Sequence, residues 1–119
     1  MKILAVDDSR TMRDMLRMAL VKAGFEVVLA VDGEHGLEML SESGADVIIT
    51  DINMPRMDGL ALIAEARKLL RFTPILALTT ESQQARRDEA KKNGATGWLV
   101  KPVGGADLMK VVRQLLPGA

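Results

Sequence analysis

The chain contains no cysteine, which excludes disulfides, thiol nucleophiles and cysteine-ligated metal sites. Its single histidine, His35, excludes a multi-histidine site as well. Charge of one sign is not in excess: 16 Lys+Arg stand against 16 Asp+Glu, for a formal net charge of zero. A chain so balanced has no general attraction to nucleic acid or to an anionic membrane, and only a local patch of one sign is left open. Long hydrophobic runs are missing too. No apolar run approaches the ~20 residues that span a bilayer, and the apolar stretch behind Met1-Lys2 is too short for a signal-peptide core. The sequence has no low-complexity tract or linker. The expectation is a cytoplasmic protein that engages neither nucleic acid nor membrane.

What is present suits one domain. A length of 119 residues with 48% hydrophobic content can bury one core and leaves no room for a second. Short apolar runs alternate with helical patterns along the whole chain. The runs are Ile3-Leu4-Ala5-Val6, Val27-Val28-Leu29, Val47-Ile48-Ile49, Ile75-Leu76-Ala77-Leu78 and Trp98-Leu99-Val100. Each is continuous rather than alternating and bounded by turn residues, the pattern of a strand covered on both faces. Between them, Met12, Met15, Leu16, Ala19 and Leu20 share one face of a helix, and Leu108, Val111, Val112, Leu115 and Leu116 repeat that spacing. Gly24, Gly44 and Gly94 fall where helices should stop. Thr80 and Gln83 have the spacing of a capping box at the start of the fourth helix. Such alternation implies an α/β fold, a doubly wound parallel sheet with right-handed crossovers. Sites in these sheets form at the carboxyl ends of the strands, where the strand order reverses.

The residues at those ends are reactive. Asp7-Asp8 follow the first strand, Asp51 opens Asp51-Ile52-Asn53-Met54-Pro55 after the third, Thr79-Thr80-Glu81 follow the fourth, and Lys101-Pro102 follow the fifth. Three carboxylates gathered within a few ångströms need a cation among them. Oxygen ligands without sulfur or clustered imidazole select a hard ion, and Mg²⁺ suits a small site that keeps several waters. One carboxylate could then attack phosphorus to give an aspartyl phosphate. Lys101 and the Thr79 hydroxyl would supply the positive charge and the donor that a transferring phosphoryl group needs.

Alone, each element has an ordinary explanation: Asp7-Asp8 as a helix cap, Asp51 as a turn, Thr79-Thr80 as a cap, Lys101-Pro102 as a turn. The combination in this order resembles the response-regulator receiver family over essentially the entire chain, and within it the single-domain chemotaxis regulators of the CheY type. The resemblance implies a flavodoxin-like (βα)5 fold with strand order 2-1-3-4-5 and a single receiver domain, residues 1–119, without an output domain. It implies Asp51 as phosphoacceptor and Asp8 as a metal ligand beside it. Asp7 would act mainly through a metal-bound water, and the Asn53 backbone carbonyl would complete the protein ligands for Mg²⁺. Lys101 would pair with the phosphoryl group and Thr79 would hydrogen-bond it in the active state, with Trp98 at the aromatic switch position. Asn53 and Glu81 would tune dephosphorylation, and the bond before Pro102 would be cis. The implied donor is a chemotaxis-type histidine kinase. The implied target is a flagellar-motor switch protein, bound through the fourth helix, fifth strand and fifth helix, with a phosphatase as a possible further partner. Such a protein is not a conventional enzyme; it catalyses only its own phosphoryl transfer and autodephosphorylation.

Two positions depart from the family pattern. Trp98 stands where Tyr is common, so a Tyr-like inward swing is not carried over, and Val103 followed by Gly104-Gly105 stands where Phe is common. Rival readings are a haloacid-dehalogenase-type phosphatase, a flavodoxin-like cofactor binder, a phosphorelay shuttle, and a receiver from a longer regulator. The first would need Asp-x-Asp after the first strand and a cap domain; the second would need a Gly/Ser/Thr-rich phosphate loop there. The eight methionines read as core gap-fillers, with Met54 and Met57 partly exposed beside the acceptor segment. His35 reads as a solvated residue of the second helix. From Glu81 to Asn93 only Ala85 and Ala90 are apolar. This segment is either a solvated helix face or a weakly anchored helix able to shift, because low burial makes movement cheap.

Overall fold

The apolar runs form the strands of a parallel sheet in a computed structural model that describes residues 1–54, 57–79, 84–101 and 103–115. In chain order the elements are β1 (Lys2–Val6), α1 (Arg10–Lys22), β2 (Glu26–Ala30), α2 (Gly33–Ser43), β3 (Val47–Asp51), α3 (Gly59–Leu69), β4 (Ile75–Thr79), α4 (Gln84–Asn93), β5 (Gly97–Val100) and α5 (Gly105–Leu115). The sheet order is β2-β1-β3-β4-β5, as expected, and every strand pair is parallel. The order reverses between β1 and β3, so a crevice opens at their carboxyl ends.

Strand periodicity sorts the core into two layers, because alternate side chains leave opposite faces of a sheet. Ile3 and Ala5 of β1, with Val47 and Ile49 of β3, pack against Leu16 and Leu20 of α1 and Leu108 and Val112 of α5. Leu4 and Val6, with Ile48, pack on the other face against Leu40 of α2, Leu60, Leu62 and Ile63 of α3 and Ala90 of α4. The central strands β3 and β4 are buried throughout. The outer strands β2 and β5 are mostly half-buried because each lies at a sheet edge, yet both of their faces are packed as expected: Val28 and Trp98 against one layer, Val27, Leu29 and Leu99 against the other.

Helix ends follow the local chemistry. Ser9, Asp32 and Asp58 cap the amino ends of α1, α2 and α3, each accepting a backbone N–H three residues on. Gly24, Gly44 and Gly94 all have positive φ. Thr80, Gln83 and Leu116 lie outside the described residues. Two expectations are corrected. Met54 is 8% exposed and packs into the core with Ile52 and Leu60, as a flexible thioether readily does; Met57 is half-buried as expected. His35 is half-buried rather than solvated, and its Nδ1 accepts the Val31 N–H at 3.1 Å.

Gly59 shows how tightly the loop after β3 is built. Its N–H donates to the Ile52 carbonyl at 2.8 Å, and a Cβ there would overlap the Asp51 carbonyl oxygen and the Ile52 backbone. Gly59→Ala should therefore cost about 1–3 kcal/mol of stability. Gly105→Ala meets only the Ala19 Cβ at 3.9 Å and should be neutral or stabilising. Urea midpoints of the two variants check the contrast, and equal midpoints would contradict it.

Candidate functional site

Asp51 and Thr79 are the last residues of their strands rather than the first residues beyond them. Asp51 is registered against Leu78 and Thr79 against Val100, so the sheet itself fixes both side chains. The β1 ladder extends to Asp7, whose N–H donates to the Ala30 carbonyl at 3.2 Å, and Lys101 N–H donates to the Thr79 carbonyl at 2.6 Å. Four strand ends thus deliver Asp7, Asp51, Thr79 and Lys101 to one crevice.

One carboxylate oxygen from each of Asp7, Asp8 and Asp51 lies within 4.8 Å of the others. Asp7 is wholly buried and Asp51 is 5% exposed, whereas Asp8 opens to solvent. Lys101 Nζ stands 3.1 Å from Asp51 Oδ2 and 3.3 Å from Asp7 Oδ2. It therefore supplies the cation that two buried carboxylates require. Asp7 is steadied further: its Oδ1 accepts the Ser9 N–H at 2.9 Å, and its carbonyl accepts Arg13 Nη1 at 2.7 Å. The Thr79 hydroxyl is buried and has no hydrogen-bond partner, an unusual state that calls for an acceptor to arrive.

Burial dominates the electrostatics of Asp51, raising its pKa above the ordinary 3.8; the Asp7 charge adds to this, and Lys101 and the Asn53 N–H pull back without cancelling it. For Lys101, burial is the largest single influence and lowers the pKa, but Asp51 and Asp7 together outweigh it, so the net shift is upward and the ammonium stays charged. An oxygen-only donor set, solvent-open at Asp8, fits a hard cation that keeps water ligands. Asp7, Asp8 and Asp51 could hold it.

The sequence pattern of the response regulator receiver domain matches residues 3–113. The chain belongs to that family. Receiver domains bind Mg²⁺ at an acidic pocket of this kind. Chemotaxis protein CheY1 of Helicobacter pylori is 43% identical over 108 residues, covering 86% of each chain. The structure of chemotaxis protein CheY4 of Vibrio cholerae superimposes with a TM-score of 0.92 at 44% identity, covering 97% of this chain and 98% of that one. Response regulator MprA of Mycobacterium leprae is 39% identical over 116 residues, 98% of this chain. This receiver spans about half the length of the MprA regulators it matches, 51% in that case.

Most of the residues singled out in the sequence meet at the crevice. Asn53 is exposed at its mouth, with its N–H on the Asp51 carboxylate. Trp98 does not reach the crevice: it packs, half-buried, against the α2–α3–α4 layer, with the Arg87 guanidinium 5.1 Å over its ring. Glu81 and Pro102, and with it the expected cis bond, lie outside the described residues. The sequence pattern does not single out Arg13, Asp58 or Gly59, which the structure places around the crevice and its loop. An Asp-Gly pair ahead of an apolar helix carries the signal of a cap and a close turn, whereas nothing local marks Arg13. No described helix is long and apolar enough to cross a membrane.

Proposed function

We propose that the receiver is a phosphorylation-activated switch of a two-component system, with Asp51 as acceptor. What carries this reading is the buried Asp51 carboxylate held between an ammonium and two further carboxylates, beside a buried hydroxyl without a partner. An Asp51 oxygen attacks the phosphorus of a phosphohistidine on a kinase. The new P–O bond forms as the P–N bond breaks, and the electron pair leaves on the imidazole nitrogen. Lys101, 3.1 Å from Asp51 Oδ2, offsets charge on the incoming group. Asp8 and Asp51, with the Asn53 carbonyl and with Asp7 mainly through a bound water, would hold Mg²⁺, which would supply positive charge to the transferring group. Thr79 then donates its hydroxyl to the new acyl phosphate. Hydrolysis returns Asp51 when water attacks the same phosphorus, at a rate tuned by Asn53 and Glu81.

The output is a change in binding through α4, β5 and α5. The two relatives named as chemotaxis proteins favour a chemotaxis kinase as donor and the flagellar-motor switch as target. The MprA match favours a second reading, the receiver of a longer regulator.

Trp98, the only tryptophan, reports the switch. Mg²⁺ plus beryllofluoride, a phosphoryl mimic, should draw Thr79 toward Asp51 and alter the packing around the indole. Its emission maximum or acrylamide quenching should change in wild type and stay constant in Thr79→Ala and Asp51→Asn. Identical spectra and quenching at proven saturation would make Trp98 a fixed core residue and remove it from the switch.

A further inference from the structure

Helix α4 is fastened differently at its two ends. At the carboxyl end Asn93 Nδ2 donates to the Leu60 carbonyl at 3.1 Å, and Arg67 Nη2 and Nε donate to the Gly94 carbonyl at 2.7 and 3.2 Å. Ala90 is fully buried there, the only buried residue of the helix. Toward the amino end, Ala85 is exposed and no apolar side chain of α4 is buried. Among the described residues, two arginines hold that end. Arg86 Nη2 lies 3.2 Å from Asp58 Oδ2, and Arg87 stacks over Trp98. Both arginines bury an Nε that has no hydrogen-bond partner, so each guanidinium sits with part of its donor capacity unused, a cost recovered by release to water.

The anchor for Arg86 is rigid. Asp58 Oδ1 accepts the Ala61 N–H at 2.9 Å and caps α3. The next residue is Gly59, locked against the Asp51 and Ile52 backbone. The ion pair therefore joins the less buried end of α4 to the cap of α3, next to Gly59 and the Asp51 backbone. At the other side Thr79, whose hydroxyl is unpartnered, leads through residues 80–83 into Gln84. Thr79 is thus adjoined in sequence by the end of α4 that Arg86 restrains.

We infer that Arg86 is a latch: its ion pair with Asp58 holds the amino end of α4 in the resting position and opposes activation, and the helix pivots about Asn93 and Gly94 when the pair opens. This rests on reading Asp51 as the acceptor. A contact made only in the resting state must weaken, by its own free energy, whatever favours the other state. Both side chains are about a third exposed, so the pair is of the weak class and the effect is about two- to fivefold.

Two measurements test the latch. Arg86→Gln and Asp58→Asn should each raise the apparent affinity for beryllofluoride at saturating Mg²⁺ by about two- to fivefold, since Asn still caps α3. The double variant should gain no more than either single one. Unchanged affinity in both variants, or fully additive gains, would overturn the latch. The second readout needs no phosphoryl chemistry. In unliganded Arg86→Gln, amide hydrogen exchange should accelerate about two- to fivefold at Asp88 and Glu89 and stay constant at Gly94 and Ala95. Exchange equal to wild type along all of α4 would also overturn it. A wild type that binds no beryllofluoride while Arg86→Gln still frees the amino end would refute the acceptor reading and leave the latch standing.

Discussion

Asp51→Asn should abolish labelling of the receiver by acetyl phosphate, and a chelator should do the same to wild type. The amide replaces the proposed acceptor carboxylate with a group that is not nucleophilic, while keeping nearly the same shape. Asp51 closes β3 in register with Leu78, and its carbonyl is braced by the Thr50 hydroxyl at 2.9 Å. The variant should therefore fold as wild type does, which circular dichroism can verify beside the labelling. Chelation acts by a different route. Without metal, Lys101 is shared between Asp51 and Asp7, and one ammonium cannot also meet the charge of an incoming phosphoryl group. Losing the acceptor removes the reaction, whereas losing the cation raises its barrier. Undiminished labelling of Asp51→Asn would move the acceptor elsewhere and with it the proposed function.

The fold was legible because each central strand is a continuous apolar run, a pattern that parallel sheets require. The site was legible for a related reason: its groups stand immediately beyond those runs. Asp51 and Thr79 stand just past their apolar runs and yet terminate the strands, since a polar residue at a strand end breaks the apolar pattern without breaking the ladder. What stayed hidden depends on contacts distant in sequence. Nothing near Arg86 announces Asp58, 28 residues earlier, and nothing near Met54 tells whether it packs inward. The half-burial of β2 and β5 depends on sheet order, which the sequence yielded only through resemblance. For α4 the composition narrowed the choice without deciding it: Ala85 and Ala90 are the apolar residues of its segment, and it took the fold to show that Ala90 is buried and Ala85 is not.

Metal-free receiver should gain stability when Asp51 is made neutral. Burial, aided by the Asp7 charge, holds the folded pKa of Asp51 above 3.8. Between 3.8 and that higher value the native state carries a proton that the unfolded chain lacks. The contribution of this group to stability is thus fully present below 3.8 and is lost as pH rises through the folded pKa. At neutral pH the ionised carboxylate is a net cost, which Lys101 offsets only in part because the same ammonium serves Asp7. Asp51→Asn should therefore unfold at a higher urea concentration than wild type at pH 7 without metal, and the gap should narrow as pH falls through the acid range. Asp8→Asn should shift the midpoint the same way but less, since Asp8 is exposed and water screens it. Mg²⁺ should reverse the order. Wild type gains about 2.7 kcal/mol at a hundredfold excess over its dissociation constant, and each variant gains less because a carboxylate ligand is gone. A metal-free Asp51→Asn protein less stable than wild type at neutral pH would mean that the Lys101–Asp51 pair outweighs burial, and that the crevice is a structural ion pair before it is a site.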